Sequence, residues 1–451
     1  MQQILDLHIH SKYSRSCSPQ LTLENIETAC RIKGVDIIAT GDFTFPDWFS
    51  EIKNKLVETK PGSGLYILRQ AKDDKVKFIL STEVALIYKD GGKARRIHLV
   101  IHAPSIKAAE ELNNYLDKDF NIRSDGRPIL GLAAPDLMKL CLSINKKFLI
   151  YPAHIWTPWF AVFGSKSGFD KMEECFHEYT KNIYAIETGL SSDPEMNWRL
   201  SALDKLTILS NSDAHSLQNI AREANVFKMK EITYDEIYNI IKNKKIFFSD
   251  VIHNSAENDN NIGVMHTLEF YPEEGMYHYD GHRACGISFI PRETRKQKNI
   301  CPVCKKPLTI GVMYRVEELA DRPAFTEVSS GAKIFLGKPV SLNPPPGQAK
   351  FIKIVELDKI IAEAMDVKSR RSNKVQMVYN NLIKQGGNEL NILLNISLKD
   401  LVKMADESVV EGIKRVREGR LIIRPGFDGQ YGEIKIFSEQ EKKKNKQKSF
   451  F

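Results

Sequence analysis

Short apolar runs of strand length alternate along the first half of the chain with longer segments that have helical spacing. In the segment 23–33, Leu23, Ile26 and Cys30 fall on one face, and Thr22 stands before them as an N-cap. This alternation over seven units predicts an α/β fold, either a parallel barrel or a wound sheet, with chemistry in the loops after the strands. The last residues of the strand-like runs are 5–8, 37–40, 78–81, 97–101, 148–151, 184–187 and 207–210.

Metal-ligand residues recur immediately after these apolar runs. Imidazole and carboxylate side chains bind Zn²⁺, Mn²⁺ or iron, and several of them together can hold two or three ions. Side chains at positions i and i+2 of a strand face the same side, so His8 and His10 can share a site, and Asp213 and His215 repeat that spacing. The clusters are Asp6-Leu7-His8-Ile9-His10, Ser81-Thr82-Glu83, Ala153-His154 and Ser212-Asp213-Ala214-His215.

The chemistry that such a ligand set favours is phosphoester hydrolysis. Clustered ions lower the pKa of a bound water and hold a phosphate for in-line attack, and Glu83 could bridge two of them. The sequence contains no Gly-x-Ser-x-Gly nucleophile motif that would compete for this role. Taken alone, a strand-end histidine such as His98 or His154 is more often a hydrogen-bonded structural residue. The repetition of ligand types at several strand ends favours a metal-dependent hydrolase.

A second metal-binding pattern lies in the middle of the chain. His282-x₂-Cys285 and Cys301-x₂-Cys304 are separated by fifteen residues, which matches the spacing of structural zinc sites. The fourth ligand is His282 or His278, and His282 is preferred for the symmetry of the spacing. The alternative is a set of free thiols beside a chance histidine. A closed four-ligand site is structural, so we expect this module to order a small domain rather than to catalyse.

The charge is uneven along the chain. Of the net +8, residues 351–451 carry +6, with 20 Lys and Arg against 14 Asp and Glu. The segments of helical spacing in this region include residues 409–418, where basic positions precede Arg420. Such asymmetry favours a polyanionic partner, most simply nucleic acid, and the alternative is a solvated face with a solubilising tail.

The 451 residues have room for two or three domains. We predict an α/β barrel at 1–255, a zinc-binding module at 256–340, a mainly helical basic DNA-contacting domain at 341–437 and a disordered basic tail at 438–451. No run approaches the roughly 18 apolar residues of a membrane helix. The first residues lack signal-peptide features, and the seven cysteines, scattered apart from one CxxC, indicate thiols and a metal site rather than disulfides. These features predict a cytoplasmic protein with no membrane partner.

The metal-ligand motifs resemble the PHP (polymerase and histidinol phosphatase) family of metal-dependent phosphoesterases, in family order. They are Asp-Leu-His8-Ile-His10, Thr40-Gly41-Asp42, Glu83, His98-Leu-Val, Pro152-Ala-His154 and Ser212-Asp213-Ala-His215. The resemblance implies a distorted seven-stranded β/α barrel holding two or three divalent ions, Zn²⁺, Mg²⁺ or Mn²⁺. It implies that His8, His10, Glu83 and Asp213 serve one ion and carry catalysis. It assigns Glu83, His98 and His154 to a second ion, and Asp42 and His215 to a third. Asp42 departs from the Thr-Asp-His that this family more often has.

The whole chain is similar to the endonuclease Q family of DNA repair enzymes. Beyond the PHP motifs, this similarity includes Tyr279-Asp-Gly-His-Arg, the zinc knuckles and Pro425-Gly-Phe-Asp-Gly-Gln-Tyr-Gly-Glu. It implies cleavage on the 5′ side of deoxyinosine, deoxyuridine and abasic sites in DNA, in the cytoplasm at the nucleoid. A lesion enzyme must separate a damaged base from normal ones, usually by flipping it out of the stack. The side chains that we predict to contact such a substrate are Trp156, Trp159, Trp198, Arg199 and Arg420.

Two other functions remain open from the sequence. One is a PHP-type phosphatase acting on a small phosphomonoester, which would not need the zinc module or the basic segment. The other is a nucleic-acid-binding protein whose barrel has lost catalysis, which the intact ligand set disfavours. The sequence also leaves open whether a replication sliding clamp is a partner.

Overall fold

The computed structural model of the protein describes residues 1–247, 262–323 and 344–441. The predicted domain boundaries at 255/256 and 340/341 lie outside the described residues, as does residue 442 onward of the predicted tail. The strands are β1 (Gln2–Asp6), β2 (Ile37–Ala39), β3 (Leu56–Glu58), β4 (Leu65–Leu68), β5 (Lys77–Ile79), β6 (Ser81–Asp90), β7 (Lys93–His102), β8 (Ile129–Leu130), β9 (Leu149–Pro152), β10 (Ala185–Glu187), β11 (Thr207–Leu209), β12 (Ala224–Lys228), β13 (Gly263–Glu269), β14 (Asp280–His282), β15 (Ile287–Phe289), β16 (Lys350–Lys353), β17 (Ile422–Arg424) and β18 (Glu433–Lys435).

Helices surround the strands and dominate the C-terminal third. The first helix begins where the sequence predicts, because the Thr22 hydroxyl accepts a hydrogen bond from the Asn25 amide (3.3 Å) and Gly34 ends it in the left-handed region. The helices are α1 (Leu23–Lys33), α2 (Pro46–Lys55), α3 (Ile106–Asp119), α4 (Ala134–Ile144), α5 (Met172–Phe176), α6 (Pro194–Asn197), α7 (Tyr234–Lys242), α8 (Pro291–Lys296), α9 (Val312–Leu319), α10 (Leu357–Ala364), α11 (Asn373–Gly386), α12 (Glu389–Leu394), α13 (Leu398–Leu401) and α14 (Glu407–Glu418).

The ring of the barrel has seven strand positions, of which the consecutive strands β5 and β6 together occupy one. β1, β2 and β5 run parallel, and the chain passes from β5 through Leu80 into β6. β6 pairs with β7, β7 pairs with β9, and β10 and β11 run parallel. The Ile155 amide donates to the Glu187 carbonyl (3.0 Å) between β9 and β10, and a parallel bridge between Ile9 and Ala214 closes the ring. The prediction of a distorted seven-stranded α/β barrel is confirmed.

The barrel is not parallel throughout, which corrects part of the sequence-based prediction. β7 runs antiparallel to both β6 and β9, so Glu83 and His98 lie inside a hairpin rather than in loops after strands. The register places Glu83 opposite Val100, and a two-residue turn joins Asp90 to Lys93. Gly91 and Gly92 both have positive φ in this turn (55° and 73°), which is the backbone that a type I′ hairpin requires.

The sheet extends beyond the ring through β12 and then through β13 and β16, two strands that lie outside the predicted barrel at 1–255. β12 pairs antiparallel with β1, β13 pairs antiparallel with β12, and β16 pairs parallel with β13. The C-terminal region is mainly helical, as predicted, and α10 to α14 share a second core that includes Leu357, Ile360 and Ile413. Among the helices in the described part of the chain, none is long and apolar enough to cross a membrane.

Candidate metal centre

Glu83 lies at the centre of the histidines that the sequence analysis selected. Its Oε2 is 3.3 Å from His10 Nε2 and 3.7 Å from His8 Nε2. Its Oε1 is 2.8 Å from His98 Nδ1 and 3.1 Å from His154 Nε2. One carboxylate therefore presents one oxygen to each of two histidine pairs, which is the arrangement expected of a residue that bridges two ions.

Two groups of potential ligands have atoms within 4.8 Å of one another: His8, His10 and Asp213, and Glu83, His98 and His154. Asp213 Oδ1 lies 3.1 Å from His10 Nε2 and 3.9 Å from His8 Nε2. These three buried atoms make no hydrogen bond within the described residues. Buried polar atoms are normally satisfied, so a divalent ion that accepts their lone pairs fits this group of donors.

Glu187, which the sequence analysis did not select, orients two of these ligands. His8 Nδ1 lies 3.0 Å from its Oε2, and the His154 amide donates to its Oε1 (3.0 Å). Asn211 Nδ2 also donates to Oε2, at 2.8 Å. Metal-binding histidines commonly donate their other ring nitrogen to a carboxylate, which fixes the ring and makes it a better ligand. Glu187 has this role for His8.

Asp42 orients His10 and lies outside the two groups of potential ligands in the barrel. Its Oδ1 is 3.1 Å from His10 Nδ1, and its Oδ2 accepts from the Ser11 amide (2.7 Å), the Ser11 hydroxyl (2.7 Å) and the Ser14 hydroxyl (2.8 Å). The side chain is buried. Both oxygens are engaged by neighbouring residues, and the assignment of Asp42 as a metal ligand stays a prediction.

His215 lies beside the centre, next to Asp213 and His10. Its Nδ1 lies 2.9 Å from the Asp213 carbonyl, and its ring centroid is 4.6 Å from that of His10. Within the ranges that the structure describes, neither His215 nor Asp42 belongs to a group of three potential ligands. A third ion at Asp42 and His215 therefore stays a prediction.

The backbone is strained at three of these positions. Asp42, His154 and Asp213 have positive φ values of 49°, 31° and 45°. Such conformations cost about 1 to 3 kcal/mol each and cluster at functional sites. Beside His154 the chain has Gly189, where an added Cβ would lie 2.7 Å from the His154 Cα, so the close approach requires glycine. The strain supports a functional role for these side-chain directions.

The electrostatics of the centre favour a neutral His98 and an ionised Glu83, which are the forms that bind metal. Burial lowers the pKa of His98 to about 4, so its ring is neutral and its nitrogens can act as ligands. Burial opposes the ionisation of Glu83, yet the Arg127 guanidinium and hydrogen bonds from His10 and His154 hold its pKa well below the usual value. Arg127, a second residue that the sequence analysis missed, donates from Nη1 to Glu83 Oε2 (3.0 Å).

The second predicted metal site is also brought together. His282, Cys285, Cys301 and Cys304 form one group of potential ligands, and Cys304 Sγ is 3.3 Å from His282 Nδ1. β14 and the turn after it supply the first pair, and the CxxC knuckle supplies the second. His278 is buried and lies outside this group, so the geometry selects His282 as the fourth member. Three thiols and one imidazole are a donor set that fits a tetrahedral ion.

The knuckle itself favours thiolate at Cys301. The Cys301 amide donates to the Lys306 carbonyl (2.8 Å), and the Lys305 amide donates to the Cys301 carbonyl (3.0 Å). Burial opposes ionisation, but the backbone N–H groups of Cys304 and Val303 lower the pKa of Cys301 to about 6. Thiolate is the form that binds metal, so this turn is suited to a ligand.

Arg315 anchors the helix after this module to the barrel. Its Nε donates to the Phe163 carbonyl (3.1 Å) and its Nη2 to the Phe169 carbonyl (3.0 Å). The guanidinium also pairs with Asp170 (2.5 Å) and Glu318 (2.7 Å). The side chain is buried, so it joins α9 to the loop that follows His154.

Three of the side chains predicted to contact substrate are buried. Trp156 donates from Nε1 to Asn197 Oδ1 (2.8 Å), and Trp198 packs edge-on against Phe351 with ring centroids 5.8 Å apart. Both rings pack within the hydrophobic core, and their contact with a substrate stays a prediction.

Arg199 is likewise buried, and its Nη2 pairs with Glu317 at 2.6 Å. The pair joins the barrel to α9, and the assignment of Arg199 to substrate binding stays a prediction. Arg420 is partly exposed and pairs with Glu411 (3.2 Å) and Glu418 (2.5 Å).

Trp159 is the predicted aromatic that reaches the surface. It is 39% exposed, and its ring meets that of Tyr277 edge-on at 5.4 Å. The Thr157 hydroxyl donates to the Trp159 carbonyl (2.9 Å) and lies 3.1 Å from His154 Nδ1. The Thr157 hydroxyl thus contacts both the backbone of the exposed Trp159 and the ring of His154, a candidate metal ligand.

Known proteins are similar to this chain over a length that includes both candidate metal sites. Residues 356–420 match the family model of the MJ0043 C-terminal domain. The uncharacterized protein MJ0043 of Methanocaldococcus jannaschii is 30% identical over 286 residues, which is 62% of this chain. This chain spans 31% of the length of MJ0043. The uncharacterized protein YqxK of Bacillus subtilis is 25% identical over 449 residues, covering 95% of this chain and 98% of YqxK.

The lesion-specific endonuclease PfuEndoQ from Pyrococcus furiosus has a similar crystal structure, with a TM-score of 0.78 and 26% identity over 98% of this chain and 97% of that chain. The chain has the fold of endonuclease Q. A structure of endonuclease Q in complex with a 27-mer duplex substrate, with an abasic lesion at the active site, is similar with a TM-score of 0.78. That match has 27% identity and covers 97% of this chain and 98% of the other. The likeness to endonuclease Q therefore includes the barrel, the cysteine-rich module and the helical region together.

Proposed function

We propose that this protein is a metal-dependent DNA repair endonuclease, which hydrolyses the phosphodiester on the 5′ side of deaminated bases and abasic sites. The observation that carries this proposal is the position of Glu83 between two histidine pairs, in a chain whose whole length has the endonuclease Q fold. The preference for deoxyinosine, deoxyuridine and abasic nucleotides is the finest part of the proposal. The abasic lesion in the active site of the related structure supports the abasic substrate, and the two deaminated bases rest on the resemblance in sequence alone.

Two divalent ions, Zn²⁺, Mg²⁺ or Mn²⁺, would be held in the barrel, one by His8, His10 and Asp213 with Glu83, and the other by Glu83, His98 and His154. Bound there, they would lower the pKa of water and neutralise charge on phosphate oxygens.

The protein's own groups hold this arrangement in place. Glu187 and Asp42 fix the rings of His8 and His10, so the nitrogens that face Glu83 and Asp213 need not reorganise when the substrate arrives. The buried walls of the ring exclude bulk water from one side of the site.

The groups that would meet DNA lie outside the ligand set. Trp159 is exposed beside the His154 loop and is suited to stack on a displaced base or to fill the gap that it leaves. Arg420 lies at the end of α14 in the basic helical region, where it can contact the phosphate backbone. The cluster of Cys285, Cys301, Cys304 and His282 would hold a structural Zn²⁺, which orders the module between the barrel and the helices.

The test is incubation of the purified protein with Mn²⁺ or Mg²⁺ and an end-labelled duplex containing one deoxyinosine. The undamaged duplex and a small phosphomonoester serve as parallel substrates. We expect a single nick 5′ to the lesion, and its loss in Asp213→Asn. The matched control Asp235→Asn, an exposed residue paired with Lys147, should cut as the wild type does.

Two outcomes would contradict the proposal. Release of phosphate from the small substrate without a nick would indicate a PHP-type phosphatase. A nick that persists undiminished in Asp213→Asn would place the chemistry outside the barrel centre.

A further inference from the structure

Arg127 lies at the edge of the metal centre, and the proposed ligand set does not use it. Its Nη1 donates to Glu83 Oε2 (3.0 Å), which is its one side-chain hydrogen bond to a described residue. The side chain is 26% exposed, whereas that of Glu83 is fully buried. Asp213 and His215 are the other members of the centre with partly exposed side chains. Arg127 therefore belongs to the open face of the centre, from which a substrate would enter.

The loop that carries Arg127 is fixed on both sides. The Gly126 amide donates to the Tyr13 carbonyl (3.0 Å), and the Arg127 amide donates to Asp125 Oδ1 (3.0 Å). An added Cβ on Gly126 would lie 2.5 Å from Asp42 Oδ2, so only glycine fits against this carboxylate. After Arg127, the chain enters β8, which pairs with β6 next to Glu83. The backbone is thus held against the residues that orient His10 and against the strand of the bridging carboxylate.

The charge balance of the centre changes when ions are present. In this structure Arg127 neutralises an oxygen of Glu83 that also faces His8 and His10. Divalent ions shared by Glu83 would neutralise that oxygen and repel a guanidinium at the same place. A cation beside two dications is stable only if an anion balances the site. The anion that the proposed reaction supplies is a phosphodiester.

We propose that Arg127 is the phosphate-binding residue of this centre, and that its guanidinium exchanges Glu83 for the non-bridging oxygens of the phosphodiester that is cut. The planar fork of arginine matches two oxygens of one phosphate, which a lysine ammonium cannot do. This inference rests on the proposed function, because it assigns the substrate contact of the same site. The competing role for Arg127 is that of a structural counterion to Glu83.

The experiment compares Arg127→Gln and Arg127→Lys with the wild type. The matched control is Arg123→Gln, an arginine of the same loop that is 61% exposed and pairs with Asp117. Metal content is measured on each Mn²⁺-loaded protein, and calorimetry measures the binding of inorganic phosphate to it. Cleavage of the deoxyinosine duplex is then measured as kcat and KM.

We expect Arg127→Gln to retain its metal and to bind inorganic phosphate about tenfold or more weakly, because a charge-assisted contact is lost. Its kcat should fall about a hundredfold, as when one preorganised donor is removed from a developing charge. Arg127→Lys should recover part of both losses, and Arg123→Gln should match the wild type.

Either of two results would overturn the inference: unchanged phosphate binding in a fully metal-loaded Arg127→Gln, or loss of metal from that variant. Wild-type protein that binds no phosphate would overturn it as well. Phosphate binding that depends on Arg127, in a protein that does not nick the lesion duplex, would instead uphold Arg127 and refute the proposed function.

Discussion

Replacing Glu187 with glutamine tests whether the barrel centre depends on a residue that touches no proposed substrate atom. The carboxylate accepts three hydrogen bonds, from His8 Nδ1, the His154 amide and Asn211 Nδ2. A glutamine has the same shape but one acceptor oxygen, and its NH₂ group must face donors. If the amide oxygen replaces Oε2, then His8 and Asn211 keep their acceptor and the His154 amide loses its own.

The expected loss of stability follows from the number of donors that are left without an acceptor. One buried donor without a partner costs about 1 to 3 kcal/mol, and the opposite rotamer would orphan two donors and cost twice as much. The protein should therefore adopt the first rotamer and lose about 1 to 3 kcal/mol of stability. His8 also loses the anion that makes it a strong ligand, and loss of such a partner typically weakens metal binding by 10- to about 100-fold.

The assay is a Mn²⁺ titration of Glu187→Gln, followed by equilibrium dialysis and metal analysis. Glu110→Gln is the control, because Glu110 is exposed and pairs only with Lys53 among the described residues. We expect the Mn²⁺ affinity to fall at least tenfold in Glu187→Gln and to stay unchanged in the control. Wild-type affinity in a folded Glu187→Gln would refute the claim that Glu187 orients His8.

Three other changes test the same structure elsewhere. Gly126→Ala should lower the melting temperature and the cleavage rate, because its methyl group would overlap the Asp42 carboxylate, whereas Gly131→Ala meets no atom within 4 Å and should be neutral. Cys301→Ser should lose the metal of the cysteine-rich module in metal analysis while the barrel keeps its own, and unchanged total metal would contradict the zinc assignment. Arg315→Ala should expose the seam between α9 and the barrel to limited proteolysis, since two loop carbonyls lose their donor at a cost of at least about 2 kcal/mol; a wild-type digestion pattern would contradict the anchoring role.

The parts of the site that could be predicted from sequence are those with local spacing. His8 and His10 are two residues apart, and Cys301 and Cys304 three apart, so one strand end and one turn already bring each pair together. Glu187 and His8 are separated by 179 positions, and their contact depends on how the ring closes. A glutamate at the end of a short apolar strand has no local feature that distinguishes an orienting carboxylate from a solvated one.

Several of the predicted site residues are buried or already hydrogen-bonded, for reasons that the sequence does not show. Trp156 and Trp198 lie in loops with polar neighbours, and sequence spacing does not reveal on which side of the chain a loop side chain is buried. Asp42 has the residue type of a ligand, but Ser11 and Ser14 already satisfy one of its oxygens. The antiparallel hairpin has a local signal in the sequence, two adjacent glycines between Asp90 and Lys93, which competes with the parallel repeat.

Closure of the ring and assembly of the first ligand group depend on the same seam, which is the contact between residues 8–10 and residues 213–214. The Asp213 amide donates to the His8 carbonyl (2.9 Å), and the His10 amide donates to the Ala214 carbonyl (3.1 Å). The three ligands of that group thus come from the two edges that this seam joins. An ion that binds them only when the seam is closed must stabilise the closed barrel, by thermodynamic linkage. The second group, on the β6–β7 hairpin and after β9, lies away from this seam, so removal of metal should loosen the seam before the hairpin.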